Sequence, residues 1–139
     1  MPQALILCPT RELCLQIAGD LNDYSKYIDG LKVLPVYGGS SIESQIRMLK
    51  AGVHIIVATP GRLIDLMERK VAKLETIADV VMDEADEMLN MGFTDSINAI
   101  LEKGSRRPEH FDVLSYHESR NLAYCKKIPA RCERDYNRY

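Results

Sequence analysis

Three carboxylates, Asp83, Glu84 and Asp86, fall together directly after the apolar run Val80-Val81-Met82. A surface loop can be acidic without a buried run before it, so the pairing is informative. Carboxylates at the end of a buried strand can hold hydrated Mg²⁺ and orient a water for attack on a phosphate. The same residues also suit the start of a helix, whose dipole favours negative charge. Thr59-Pro60-Gly61-Arg62 combines a helix start with a cation. Unpaired backbone N–H groups there attract an anion, and an arginine adds a two-pronged phosphate donor. A plain capped helix with a solvated arginine is the alternative. Thr10-Arg11, after Pro9, repeats the arrangement, with Glu12 suited to the helix dipole. Gly38-Gly39 either makes a turn or lets backbone approach a ligand closely.

These segments are positioned by alternating strands and helices. Ala4 to Cys8 is a short apolar run that reads as a strand buried on both faces. Leu13, Ile17, Leu21, Tyr24 and Ile28 recur at helical spacing. Leu31 to Tyr37 is a second strand, and Ile42, Ile46 and Leu49 mark a second helix capped by Ser40 or Ser41. Val53 to Ala58 is a third strand, and the next helix has Thr59 as its cap and Pro60 at its first position. Ala78 to Met82 is a fourth strand, and a last helix carries Phe93, Ile97, Ile100 and Leu101. Repeated strand–helix units with continuous apolar strands predict an α/β fold, a parallel sheet with helices on both faces. Ligands of such sheets bind beyond the carboxyl ends of the strands. All four unusual segments fall there, which favours a track for a phosphodiester backbone held without reading sequence.

The chain has 139 residues, 46% hydrophobic and 27% charged, a composition suited to one soluble domain. No apolar run approaches the about 20 residues of a membrane helix, so no membrane partner is expected. The first residues lack the basic stretch and cleavage site of a signal peptide. Cys8, Cys14, Cys125 and Cys132 show no metal-ligand spacing and read as reduced thiols of a cytoplasmic protein. Cys8 and His54 sit in or beside strands and are expected in the core.

The net charge of −2 excludes a strongly basic nucleic-acid binder, but it hides a break in composition. Residues 1–103 carry 10 basic and 15 acidic side chains, while residues 104–139 carry 8 and 5. Four of the seven tyrosines lie in those last 36 residues, and Val113, Leu114, Leu122 and Ile128 are their only Ile, Leu, Val or Met. A boundary is predicted near Lys103–Gly104.

PTREL at 9–13 with Gln16, GG at 38–39, TPGR at 59–62 and DEAD at 83–86 together resemble the DEAD-box ATP-dependent RNA helicases, in that family's order and at about its spacing. The flanks Val80-Val81-Met82 and Met88 to Phe93 fit as well. The resemblance covers nearly all of residues 1–103. It implies a RecA-like fold of the P-loop NTPase type, with ATP and Mg²⁺ as cofactors and RNA as partner. It implies that Asp83 binds Mg²⁺ through water, Glu84 activates the attacking water, and Asp86 couples the nucleotide site to RNA. It assigns Pro9, Thr10, Arg11, Gly38, Gly39, Thr59, Pro60, Gly61 and Arg62 to the RNA sugar-phosphate backbone.

The phosphate-binding pattern G-x-x-x-x-G-K-[ST] does not occur in the sequence. It is expected upstream of residue 1, so the sheet is predicted to be incomplete, lacking a strand that would run beside the DEAD strand. The family's Ser-Ala-Thr motif is also missing after Lys103. Back-translation of residues 104–139 in a shifted frame permits the string MFSATM across Asp112 to Glu118. An extra base near the Lys103 codon would therefore explain the composition break, the late tyrosines and the missing motif together. On that reading residues 104–139 are disordered, and Arg106-Arg107, Lys126-Lys127 and the Cys125/Cys132 pair are accidental. The predicted function is a piece of the first helicase domain, inactive alone. The alternatives are a non-enzymatic RNA-backbone-binding fragment and an unrelated doubly wound regulatory domain with an acidic metal site.

Overall fold

A computed structural model describes residues 1–104 and 109–114 of the chain. Its elements in chain order are β1 (Ala4–Leu7), α1 (Arg11–Tyr24), β2 (Val33–Val36), α2 (Ile42–Ala51), β3 (Ile55–Ala58), α3 (Pro60–Glu68), β4 (Asp79–Asp83), α4 (Ala85–Asn90), α5 (Thr94–Lys103) and β5 (His110–Leu114). The five strands form one parallel sheet in the order β2-β3-β1-β4-β5. Pro35 lies in β2, an outer strand, where a residue without an N–H costs the ladder least.

Alternation along the strands builds two hydrophobic layers. Leu5, Leu7, Leu34, Val36, Ile56, Ala58, Val80 and Met82 point to one face and pack with Leu63 and Leu66 of α3, Met88 of α4 and Ile97 and Ile100 of α5. Ile42, Ile46 and Leu49 of α2 join the same layer. The opposite face carries Val33, Val57 and Cys8 against Cys14 and Ala18 of α1. Helices thus cover both faces, as the sequence predicts.

Three expectations change. The first helix ends at Tyr24, followed by a 3₁₀ turn over Ser25–Tyr27, instead of running to Ile28. Tyr24 is 79% exposed and Ile28 59%, so neither joins the face that α1 buries, and Gly30 turns the chain with φ +80°. His54 is only partly buried, and its Nδ1 accepts from the Lys32 N–H at 3.1 Å, tying the approaches to β2 and β3.

The third concerns the boundary at Lys103–Gly104, which does not end the sheet. Residues 110–114 form β5, in parallel register with β4 from Asp79↔His110 to Asp83↔Leu114. Phe111 and Val113 pack on the main core while His110, Asp112 and Leu114 are exposed, the period-two pattern a strand needs. β4 is hydrogen-bonded to β1 on one side and β5 on the other, so no place for a further strand exists beside it. Among the described residues the unpaired edges are the outer sides of β2 and β5. Arg106-Arg107, Lys126-Lys127, Cys125 and Cys132 lie outside the described residues.

Candidate nucleic-acid interface and acidic strand end

The carboxyl ends of β1, β2 and β3 bring three of the four segments together. Thr10 caps α1, its Oγ1 accepting from the Leu13 N–H at 3.3 Å. Pro9 beneath it is buried and Arg11 is exposed. The Arg11 guanidinium carbon stands 5.1 Å from the centre of the Tyr37 ring, a cation–π contact that holds the charge over the end of β2. Gly38 and Gly39 follow and are exposed. Gly39 has φ +82°, and a Cβ added there would meet Arg11 Nη1 at 3.4 Å, so the turn both needs glycine and runs beside that cation.

α3 begins on the neighbouring strand. Thr59 occupies the cap position with extended backbone, and its N–H donates to the Val36 carbonyl at 2.9 Å, yet its hydroxyl makes no capping bond. The hydroxyl expected to close the helix leaves that role open. Pro60 at the first helical position is buried and Gly61 is exposed. Arg62 reaches back from α3 to the glycine turn. Its Nη1 donates to the Ser40 carbonyl at 3.1 Å and to Gln45 Oε1 at 3.2 Å.

Gln45 is the residue that sequence reasoning missed. It is 5% exposed, the only buried polar side chain among the described residues. Its signal was available: Ile42, Gln45, Ile46 and Leu49 follow the helical spacing of a buried stripe, and one of the four is polar. The parts that Ser40 and the Tyr37 carbonyl play as its partners were likewise missed. Of the two candidate caps, Ser41 caps α2 by accepting from the Ser44 N–H at 3.4 Å, while Ser40 joins the Gln45 network.

The acidic segment lies at the same sheet edge, beyond β1. Asp83 is the last residue of β4, and its Oδ1 accepts from the Glu84 N–H at 2.9 Å. Glu84 has φ +51° and ψ +47°, a left-handed conformation that costs a non-glycine residue about 1–2 kcal/mol. Strain of this kind concentrates at functional positions. The Glu84 side chain is exposed, and Asp86 is half-buried in the first turn of α4. Cys8, buried at the end of β1, feels this edge: hydrogen bonding with the Cys14 thiol, then burial, then the charges of Cys14, Asp83 and Glu84 push its thiol up.

No group of three or more His, Cys, Asp or Glu side chains among the described residues is placed to cage a metal ion. A hydrated Mg²⁺ needs less, since it keeps most of its waters and takes one or two carboxylates. Asp83 retains its second oxygen for that purpose, so the donor set fits a cation held through water.

Residues 1–116 match the family model described as DEAD/DEAH box helicase. The chain belongs to that family. The DEAD-box ATP-dependent RNA helicase CshA of Streptococcus pneumoniae is 53% identical to it over 114 residues, 82% of this chain and 21% of the relative. The RNA helicase CrhR of Synechocystis is 60% identical over 101 residues, 73% of this chain and 20% of the relative. The chain therefore spans about a fifth of the length of these curated relatives. A crystal structure of a hypothetical ATP-dependent RNA helicase from Sulfolobus tokodaii superposes with a TM-score of 0.83 at 37% identity, covering 93% of this chain and 38% of that one. The parallel sheet with helices is thus the RecA-like domain of a DEAD-box helicase, or part of one. Among the described residues no helix is long and apolar enough to cross a membrane.

Proposed function

We propose that the carboxyl edge of β1, β2 and β3 grips the sugar-phosphate backbone of RNA without reading base sequence, within an ATP-dependent RNA helicase. The observation that carries this is the convergence on one turn of Arg11, Gly39 and Arg62, each following a different strand. Exposed backbone N–H groups at Gly38, Gly39 and Gly61 add phosphate donors that carry no sequence information. The reading deepens what the relatives' names say of them as RNA helicases.

On the same reading, Asp83 holds a water-bound Mg²⁺ and Glu84 takes a proton from the water that attacks the terminal phosphate of ATP. When bound, the cation would neutralise charge developing on the phosphates. Glu84 suits a base role because its exposed carboxylate is carried clear of β4 by the left-handed turn. Asp86 lies in the first turn of α4 and links the acidic end to the helix. Catalysis of this kind rests mainly on positioning of the phosphates. The sequence contains no phosphate-binding pattern of the Gly-Lys-Thr type, so the 139-residue chain by itself hydrolyses no ATP. A cytoplasmic site of action accompanies this reading.

We also propose that the coding frame past Lys103 is shifted. Sequencing of source DNA tests this: one base fewer near that codon, restoring a Ser-Ala-Thr motif, supports the shift, and an unchanged frame overturns it.

The RNA reading is tested by amide chemical shifts of the chain during titration with a single-stranded RNA oligomer. The expected result is perturbation at Thr10, Arg11, Gly38, Gly39, Gly61 and Arg62. Perturbation confined to other surfaces, or none at low salt, overturns it.

A further inference from the structure

The buried amide of Gln45 has every donor occupied. Its Nε2 donates to the Tyr37 carbonyl at 3.1 Å and to Ser40 Oγ at 2.8 Å, and Ser40 Oγ in turn lies 3.4 Å from the same Tyr37 carbonyl. Its Oε1 faces Arg62 Nη1. The amide can sit only this way round. Reversed, it would set an oxygen against the Tyr37 carbonyl and an N–H₂ against the guanidinium.

Arg62 is held by the same arrangement. Both N–H groups of Nη1 have acceptors, Ser40 O and Gln45 Oε1. Nε and Nη2 have no partner among the described residues, so three of the five guanidinium donors stay available. One prong of the fork is fixed to the protein, and the half-buried side chain keeps its other donors uncommitted among the described residues. A flexible arginine would have to lose this freedom on binding, whereas this one is ordered beforehand.

We propose that Gln45 is a positioning residue for RNA-backbone binding, acting through Arg62 by locking the guanidinium to the glycine turn. The proposal rests on the reading of this edge as an RNA site. Gln45 touches no RNA itself. It joins α2, the turn after β2 and the first turn of α3, so the phosphate donors of two segments keep one spacing.

A double-mutant cycle on the full chain tests it, read as affinity for a single-stranded RNA oligomer by fluorescence anisotropy. Gln45→Met keeps the volume and removes all three hydrogen bonds. It is expected to weaken binding about tenfold, and Arg62→Ala about tenfold or more. The double variant should match Arg62→Ala within about twofold, because the first effect passes through the second residue. Losses that multiply to about a hundredfold, or no loss in Gln45→Met, overturn the proposal. Gln45→Glu guards against loss of fold: it keeps an acceptor toward Arg62 but sets a carboxylate oxygen against the Tyr37 carbonyl, and its own loss should also vanish in the Arg62→Ala background.

A second readout needs no RNA. In ¹⁵N spectra the Arg62 Nη1 and Nη2 groups should give separate signals, because the two hydrogen bonds slow rotation of the guanidinium. In Gln45→Met they should merge. Separate signals that persist in that variant overturn the positioning role. Failure of the unaltered chain to bind RNA, with merging still seen, would remove the RNA reading and leave the lock in place.

Discussion

Replacing Gly39 by alanine should destabilise the chain, and replacing Gly38 should not. Gly39 has φ +82°, where a Cβ crowds the backbone, while Gly38 lies outside the positive-φ region and a Cβ there would meet nothing within 4 Å. Both substitutions remove the same chain entropy from the unfolded state, a stabilisation of about 0.4–1 kcal/mol. Only Gly39→Ala adds left-handed strain, about 1–2 kcal/mol. The neighbouring Arg11 Nη1, at 3.4 Å, is in ordinary contact distance and adds little. Subtracting one variant from the other cancels the entropy and leaves the strain. Gly39→Ala should therefore be about 1–2 kcal/mol less stable than Gly38→Ala in urea unfolding. In a domain of this size that corresponds to a midpoint about 5–10 °C lower. Coincident curves for the two variants would refute the assignment of the positive φ to Gly39 and the turn built on it.

Glu84→Gly should raise stability by up to about 1 kcal/mol by relieving the left-handed turn, while removing the proposed base; a loss of stability in thermal unfolding would count against strain there. Leu66→Ala should cost about 2–5 kcal/mol, because Leu66 is fully buried between α3 and the sheet, whereas Leu15→Ala at a 40% exposed site should cost under about 0.5 kcal/mol. Cys8 and Cys14 are both inaccessible, so iodoacetamide should label neither in the native chain and both in urea, read by peptide mass; prompt native labelling of either would contradict the α1 packing.

Much of this architecture is legible in the sequence because buried parallel strands leave short apolar runs, and helix starts carry their own punctuation. Pro60 marks α3 to the residue, and Val80-Val81-Met82 announces β4. Convergence of Thr10-Arg11, Gly38-Gly39 and Thr59–Arg62 on one edge follows from the rule that such segments end parallel strands. Three features resisted for physical reasons. Gln45 falls on the buried stripe of α2, but its role stays hidden because its partners, Tyr37, Ser40 and Arg62, come from outside that helix. α1 ends at Tyr24, and Ile28 beyond it joins no buried face, an end that helical spacing alone does not encode. β5 hides in a segment of unusual composition, Phe111 and Val113 are the strand's two inward residues, and its pairing with β4 is a long-range choice.

The central claim is that this edge holds an RNA backbone through fixed cations. It is tested most directly by the affinity of the full chain for two RNA oligomers of equal length and unrelated sequence, measured across a salt series with and without Arg62→Ala. Equal affinities for both sequences, a linear fall of log K with log salt, and a slope reduced by about one in the variant are expected. A preference for one sequence, or a slope that Arg62→Ala leaves unchanged, would contradict it.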